Sequence, residues 1–148
     1  MKNVYLAYGS NLNLEQMGYR CPDAAAIGTT VLHDYRLVFR GGHHSGVATI
    51  EMKRGSSVPV LLWEITEQCE QALDRYEGYP HLYRKKRLLV NLDGDEVVAM
   101  AYVMNAGPPP AMPDAYYYST ILDGYRDCGF DEAILKQAVM HATGTFND

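Results

Sequence analysis

No run of apolar residues in this chain approaches the ~20 that a membrane-spanning helix requires, so no membrane partner is expected. Positive charge is scarce as well. Thirteen Lys and Arg stand against 18 Asp and Glu, a formal net charge of −5, which argues against nucleic acid as a partner. The one basic run, Arg84-Lys85-Lys86-Arg87, reads as a solvated strand end. The first residues lack the basic start and small-residue cleavage site of a secretory leader, and the cytoplasm is the expected compartment. Cysteine is sparse and odd in number, at 21, 69 and 128, with no short spacing. That excludes a zinc ribbon or knuckle and favours buried free thiols in a reducing compartment over a disulfide framework. Gly-rich nucleotide loops and a Gly-x-Ser-x-Gly elbow are also missing. Phosphoryl transfer, nicotinamide chemistry and elbow-type serine catalysis therefore have no local support.

Tyrosine is plentiful: 12 in 148 residues, more than a core requires. Its ring is apolar and its tip polar, so some of the twelve are expected to line a pocket. Apolar residues make up 47% and charged ones 21%, ordinary values for a globular chain, and residues 1–148 are expected to form one domain. Asn3 to Tyr8 reads as a short strand, ended by Gly9-Ser10-Asn11, whose N–H groups can form an anion nest. Asn13 caps a helix at Leu14 to Tyr19. Ala26 to Phe39 reads as two strand segments around His33-Asp34, and 41–46 as a flexible loop. Val47 to Met52 and Val58 to Ile65 read as strands separated by a turn at Arg54-Gly55-Ser56-Ser57. Thr66 caps a helix running to about Glu77, with Cys69, Ala72, Leu73 and Tyr76 as its apolar stripe, stopped by Gly78 and Pro80. Tyr83 to Leu92 and Glu96 to Val103 form a hairpin around Asp93-Gly94. The Gly/Pro-rich stretch 106–113 is an irregular connection, either a lid or a plain linker. Two helices follow, capped near Asp114 and at Asp131. The expected class is α+β with a curved or closed mixed sheet.

Two positions invite a chemical reading. His43-His44 suggests a metal, but neighbouring side chains on an extended chain diverge and no nearby carboxylate or Cys completes a ligand set, so no metal is expected. Glu77 stands in the last turn of its helix, where a carboxylate opposes the macrodipole. A local rule broken without local gain points to function. Glu70 and Asp74 face away from the apolar stripe and read as solvated. Glu64, in a strand, is the second candidate acid.

Tyr8-Gly9-Ser10-Asn11-Leu12 at the end of a first strand, followed in mid-chain by Glu77-Gly78 after a helix, resembles the signature of the gamma-glutamylcyclotransferase-like (AIG2-like) family. The likeness runs from Val4 to about Phe130. It implies a small mixed β-barrel with flanking helices and the release of 5-oxoproline from a small gamma-glutamyl compound, with no metal or organic cofactor. It further implies Glu77 as general acid/base, buried among Tyr76, Tyr79 and Tyr83. The turn Gly9 to Leu12 would bind the substrate's α-carboxylate or the developing oxyanion, and Tyr8, Tyr83, Tyr102 and Tyr117 would orient it. The leaving group stays open between an amino acid, a gamma-glutamyl-linked lysine and a biosynthetic amine. A non-catalytic module that binds a small acid or peptide end is the competing reading.

Overall fold

The first strand is buried on both faces, and this decides its place in the sheet. In the computed structural model, which describes residues 3–42 and 44–144, Tyr5, Leu6 and Ala7 of β1 (Asn3–Ala7) are all buried. A 3-10 turn at Ser10–Leu12 leads into α1 (Leu14–Arg20). Then come β2 (Ala25–Gly42), β3 (Ser45–Ile65), α2 (Glu67–Glu77), β4 (Tyr83–Leu92), β5 (Asp95–Met104), α3 (Ala115–Cys128) and α4 (Glu132–Ala142). The sheet runs β2-β3-β1-β5-β4. The central β1 is antiparallel to β3 and parallel to β5. The class is α+β, as expected. The sheet curls until its outer strands touch: Thr30 Oγ1 donates to the Asn91 carbonyl, and a Cβ on Gly28 would lie 2.8 Å from Leu92 Cδ1. No ladder joins β2 to β4 among the described residues, so the sheet is a curled, unclosed barrel.

Long-range pairing joins segments that local signals separate. The two expected strand segments around His33-Asp34 are one strand with a register shift between His33 and Tyr35, where Asp34 takes φ 64°. The ladder passes from Tyr35↔Met52 to His33↔Ser57, so the expected Arg54–Ser57 turn is a looped-out insertion of 53–56 inside β3, with Ser57 back in the ladder. Gly55 N–H ties it to Asp34 Oδ1 at 3.0 Å. Most of the expected 41–46 loop is strand as well. His43 lies outside the described residues, and His44 sits in the connection with φ 57°.

Side-chain caps start the helices. Asn13 accepts from Gln16 N–H at 3.0 Å, Thr66 from Cys69 N–H at 3.1 Å, Asp114 from Tyr117 N–H at 2.8 Å and Asp131 from Ala133 N–H at 3.0 Å; each satisfies a donor the helix cannot. Gly78 ends α2 in the left-handed region at φ 65°, where a side chain would be strained. The 106–113 connection docks on the sheet: Gly41 N–H donates to Pro109 O, Gly46 N–H to Met112 O and Ala111 N–H to Phe39 O. No helix among the described residues is long and apolar enough to cross a membrane.

Two expectations are corrected. Cys21 and Cys69 are bonded, with Sγ atoms 2.25 Å apart, and only Cys128 is a free thiol. Their 48-residue separation carries no spacing signal; the packing of the end of α1 against the start of α2 creates the pair. Glu70 and Asp74 are not solvated. Lys85 Nζ lies 2.7 Å from Glu70 Oε2 and 3.0 Å from Asp74 Oδ1, because β4 runs beneath the face of α2 that the helical stripe alone marks as outer.

Candidate active site

The tyrosines and Glu77 meet at one small cavity, of about 20 Å³. It is lined by Tyr5, Tyr8, Gly9, Ser10, Asn11, Ala48, Glu77, Tyr83, Tyr102 and Tyr117. Gly9 permits the close approach of the β1 turn to β3, since a Cβ there would be 3.2 Å from Ala48 Cβ. The turn closes through Leu12 N–H to Gly9 O at 3.0 Å and Asn13 N–H to Ser10 O at 3.1 Å. Leu12, expected to contribute to the site, is fully buried away from the cavity and its N–H is spent in the turn. Gly9, Ser10 and Asn11 are different: their N–H groups have no acceptor among the described residues. Three such donors on one turn form a concavity suited to a negative oxygen.

Asn11 holds the turn in place. Its Nδ2 donates to Tyr5 OH at 3.0 Å, its Oδ1 accepts from Arg20 Nη1, and its carbonyl accepts from Trp63 Nε1 at 3.1 Å. Arg20 also stacks over the Tyr76 ring, 3.5 Å from the centroid. Tyr76, itself 43% exposed, places its OH 3.2 Å from Oγ of the lining residue Ser10.

The hydroxyls are committed in different senses. Tyr8 OH donates to Tyr102 O and Tyr83 OH to Ala48 O, each at 2.6 Å. A phenol that has given its proton keeps lone pairs to offer. Tyr117 OH accepts from Ala48 N–H at 3.0 Å and retains a proton to give. Tyr102 lines the cavity, but its hydroxyl points away, to Asp74 Oδ1 at 2.6 Å. Burial raises Tyr5, Tyr8, Tyr83 and Tyr117 well above the ordinary phenol value, so none of them is a base at neutral pH.

Glu77 is the group that can take a proton. Burial raises its carboxyl from 4.5 to about 7, with the Arg20 charge pulling the other way. Among the described residues no hydrogen bond satisfies it. Its cavity neighbours are Tyr5, Tyr8, Tyr83 and Tyr117. Tyr79, expected beside it, instead packs edge-on to Tyr102 under Lys85 Nζ. Glu64, the second candidate acid, pairs with Val4 and Ala25 in the sheet and does not line the cavity. Sequence reasoning missed Tyr5, Ala48 and Arg20. β1 is buried on both faces, so alternation could not orient Tyr5, and Ala48 and Arg20 reach the site only through the curl of β3 and the length of α1.

A model of the family described as gamma-glutamyl cyclotransferase, AIG2-like, matches residues 5–120. The chain belongs to that family. Among its relatives, the human gamma-glutamylcyclotransferase is 30% identical over 135 residues, which cover 85% of this chain and 71% of the human protein. The mouse gamma-glutamylcyclotransferase is 28% identical over 138 residues, covering 87% and 73%. A solved gamma-glutamyl cyclotransferase superposes with a TM-score of 0.78 at 26% identity, over 93% of this chain and 86% of that one. YkqA from Bacillus subtilis shares the fold at a TM-score of 0.78 and 18% identity, over 96% and 54%. The Tyr8–Leu12 turn and Glu77 both fall inside the matched span.

Proposed function

We propose that this chain is a gamma-glutamyl cyclotransferase that releases 5-oxoproline and a free amine or amino acid, with Glu77 as general acid/base and no metal or organic cofactor. The observation that carries this reading is a single carboxyl, raised to about 7 by burial, facing a turn of unspent N–H donors across one cavity. The substrate supplies its own nucleophile. Its α-ammonium gives a proton to the Glu77 carboxylate, and the amine attacks the gamma-carbonyl carbon. A C–N bond closes the five-membered lactam, and the original amide C–N bond breaks as Glu77 returns the first proton to the leaving nitrogen. The second proton, shed by the ring nitrogen, passes through the same carboxylate to the departing amine, which leaves as an ammonium. A base near the working pH suits both transfers. Holding the chain folded supplies proximity, for which effective molarities reach ~10⁵–10⁸ M.

The remaining residues divide the binding. Gly9, Ser10 and Asn11 N–H groups hold a negative oxygen of the substrate. The Tyr8 and Tyr83 oxygens accept from the ammonium, and Tyr117 OH donates. Tyr102 serves through its carbonyl and ring. A cavity of about 20 Å³ has room for roughly one water, so a gamma-glutamyl group enters by moving part of the wall. Tyr76 does not line the cavity but is bonded to Ser10, which does, and its release from that bond and from the Arg20 stack would free this part of the wall. The test is 5-oxoproline release from a panel of gamma-glutamyl amino acids, gamma-glutamyl-ε-lysine and gamma-glutamyl amines. Turnover of at least one class is expected, and its identity fixes the leaving group. Binding of these compounds without 5-oxoproline from any would leave a non-catalytic module instead.

A further inference from the structure

The basic run of β4 is divided by strand alternation. Lys85 and Arg87 turn to one side, where Glu70 and Asp74 neutralise Lys85. Arg84 and Lys86 turn to the other, into a groove of about 620 Å³ between the β2–β3 arm and the β4–β5 hairpin, roofed by 105–109. Ala48 and Tyr83 line the tyrosine cavity, while their chain neighbours Thr49 and Arg84 line this groove. The two sites therefore lie back to back.

Arg40, Arg84 and Lys86 supply positive charge to the groove and Glu51 the negative charge. Glu51 is already satisfied twice over: Arg36 Nη2 lies 2.7 Å and Arg40 Nη2 3.0 Å from its two oxygens. Arg84 spends one N–H on the Met104 carbonyl at 2.8 Å, and Lys86 Nζ lies 5.5 Å from the Tyr35 ring centroid. Neither has a carboxylate partner among the described residues. In a chain of net charge −5, the groove is thus a local reversal of sign that would attract anions. Its volume is that of a small-molecule site. Arg84 and Lys86, two residues apart on one strand face, are separated by about 7 Å. A ligand engaging both needs two anionic groups several Å apart, and a simple monoanion would reach only one.

We propose that this groove binds a small molecule carrying at least two anionic groups, phosphate or carboxylate, gripped by Arg84 and Lys86 with Arg40 on the opposite wall. The site is independent of the cyclotransferase reading. The test is calorimetric titration of the full chain with citrate and, separately, inorganic pyrophosphate at low salt. One-site binding of at least one of them is expected, weakening as salt is raised; citrate alone would assign a polycarboxylate, pyrophosphate alone a phosphate compound. Arg84→Gln/Lys86→Gln, at partly or fully exposed positions, should weaken binding at least tenfold. Arg87→Gln/Lys136→Gln removes the same charge away from the groove and should change it less than twofold. No binding of either anion, or equal weakening by both double variants, would overturn the proposal.

Discussion

At the residue scale, everything turns on a carboxyl that resists ionising. Glu77→Gln keeps size and loses the proton carrier, so 5-oxoproline formation should fall at least ~10²-fold, while substrate affinity, on the proposal that the turn holds the substrate, should change little. Steady-state kinetics beside a direct binding measurement separates the two. A variant that cyclises as fast as the parent would place the base elsewhere.

The same residue predicts a pH dependence. Its folded value of about 7 stands above the ordinary 4.5, so the folded state holds a proton that the unfolded chain releases between these values. Stability from this group is therefore greatest below 4.5 and is lost as pH rises toward 7, by roughly 3 kcal/mol at most. Denaturant unfolding should show Glu77→Gln more stable than the parent at pH 8 and nearly equal at pH 4. The activity of the parent should rise through pH 7 as the carboxylate forms.

At the element scale, α3 is the buttress of the Gly9–Leu12 turn. A Cβ on Gly124 would stand 2.7 Å from Leu12 Cβ and 2.8 Å from Asn13 N, against backbone that cannot yield. Helix propensity favours Ala over Gly by ~1 kcal/mol, but the overlap forces α3 off the turn. Gly124→Ala should therefore cost ~1–3 kcal/mol net and lower kcat/KM with it. Gly18 in α1 has nothing within 4 Å of its Cβ position, and Gly18→Ala should gain ~0.5–1 kcal/mol. Thermal melts of the two variants, opposite in sign, check this; a stabilised Gly124→Ala would mean the contact is slack.

At the scale of the whole molecule, the Cys21–Cys69 bond joins the end of α1 to the start of α2, the helices that carry Arg20 to the Asn11 side chain and Glu77 to the cavity. Alkylation of the denatured, unreduced chain should modify one cysteine, Cys128, and reduction should release two more. A 48-residue separation implies ~2–4 kcal/mol of stability from the cross-link, so Cys21→Ser/Cys69→Ser should melt lower by that order. Three free thiols in the unreduced chain would return the cysteines to the buried-thiol state that their spacing suggests.

The sequence by itself determined the local parts. It contains the capping residues Asn13, Thr66, Asp114 and Asp131, the Asp93-Gly94 hairpin, the end of α2 at Gly78 and the Tyr8–Leu12 and Glu77-Gly78 motifs, because each rests on contacts a few residues long. Glu77 stood out through a conflict with its own helix, also local. Tertiary structure decided whatever depends on partners far along the chain. Register made one strand of each of β2 and β3 where turn residues suggested breaks. The curl of the sheet brought Ala48 and Tyr5 to the cavity and turned the Tyr102 hydroxyl away to Asp74, and α1 brought Arg20 onto Asn11. Packing of α1 on α2 joined two cysteines of unremarkable spacing, and strand alternation split one basic run between a neutralised face and an open groove. Periodicity states which residues share a face, and only the neighbouring element determines what that face meets.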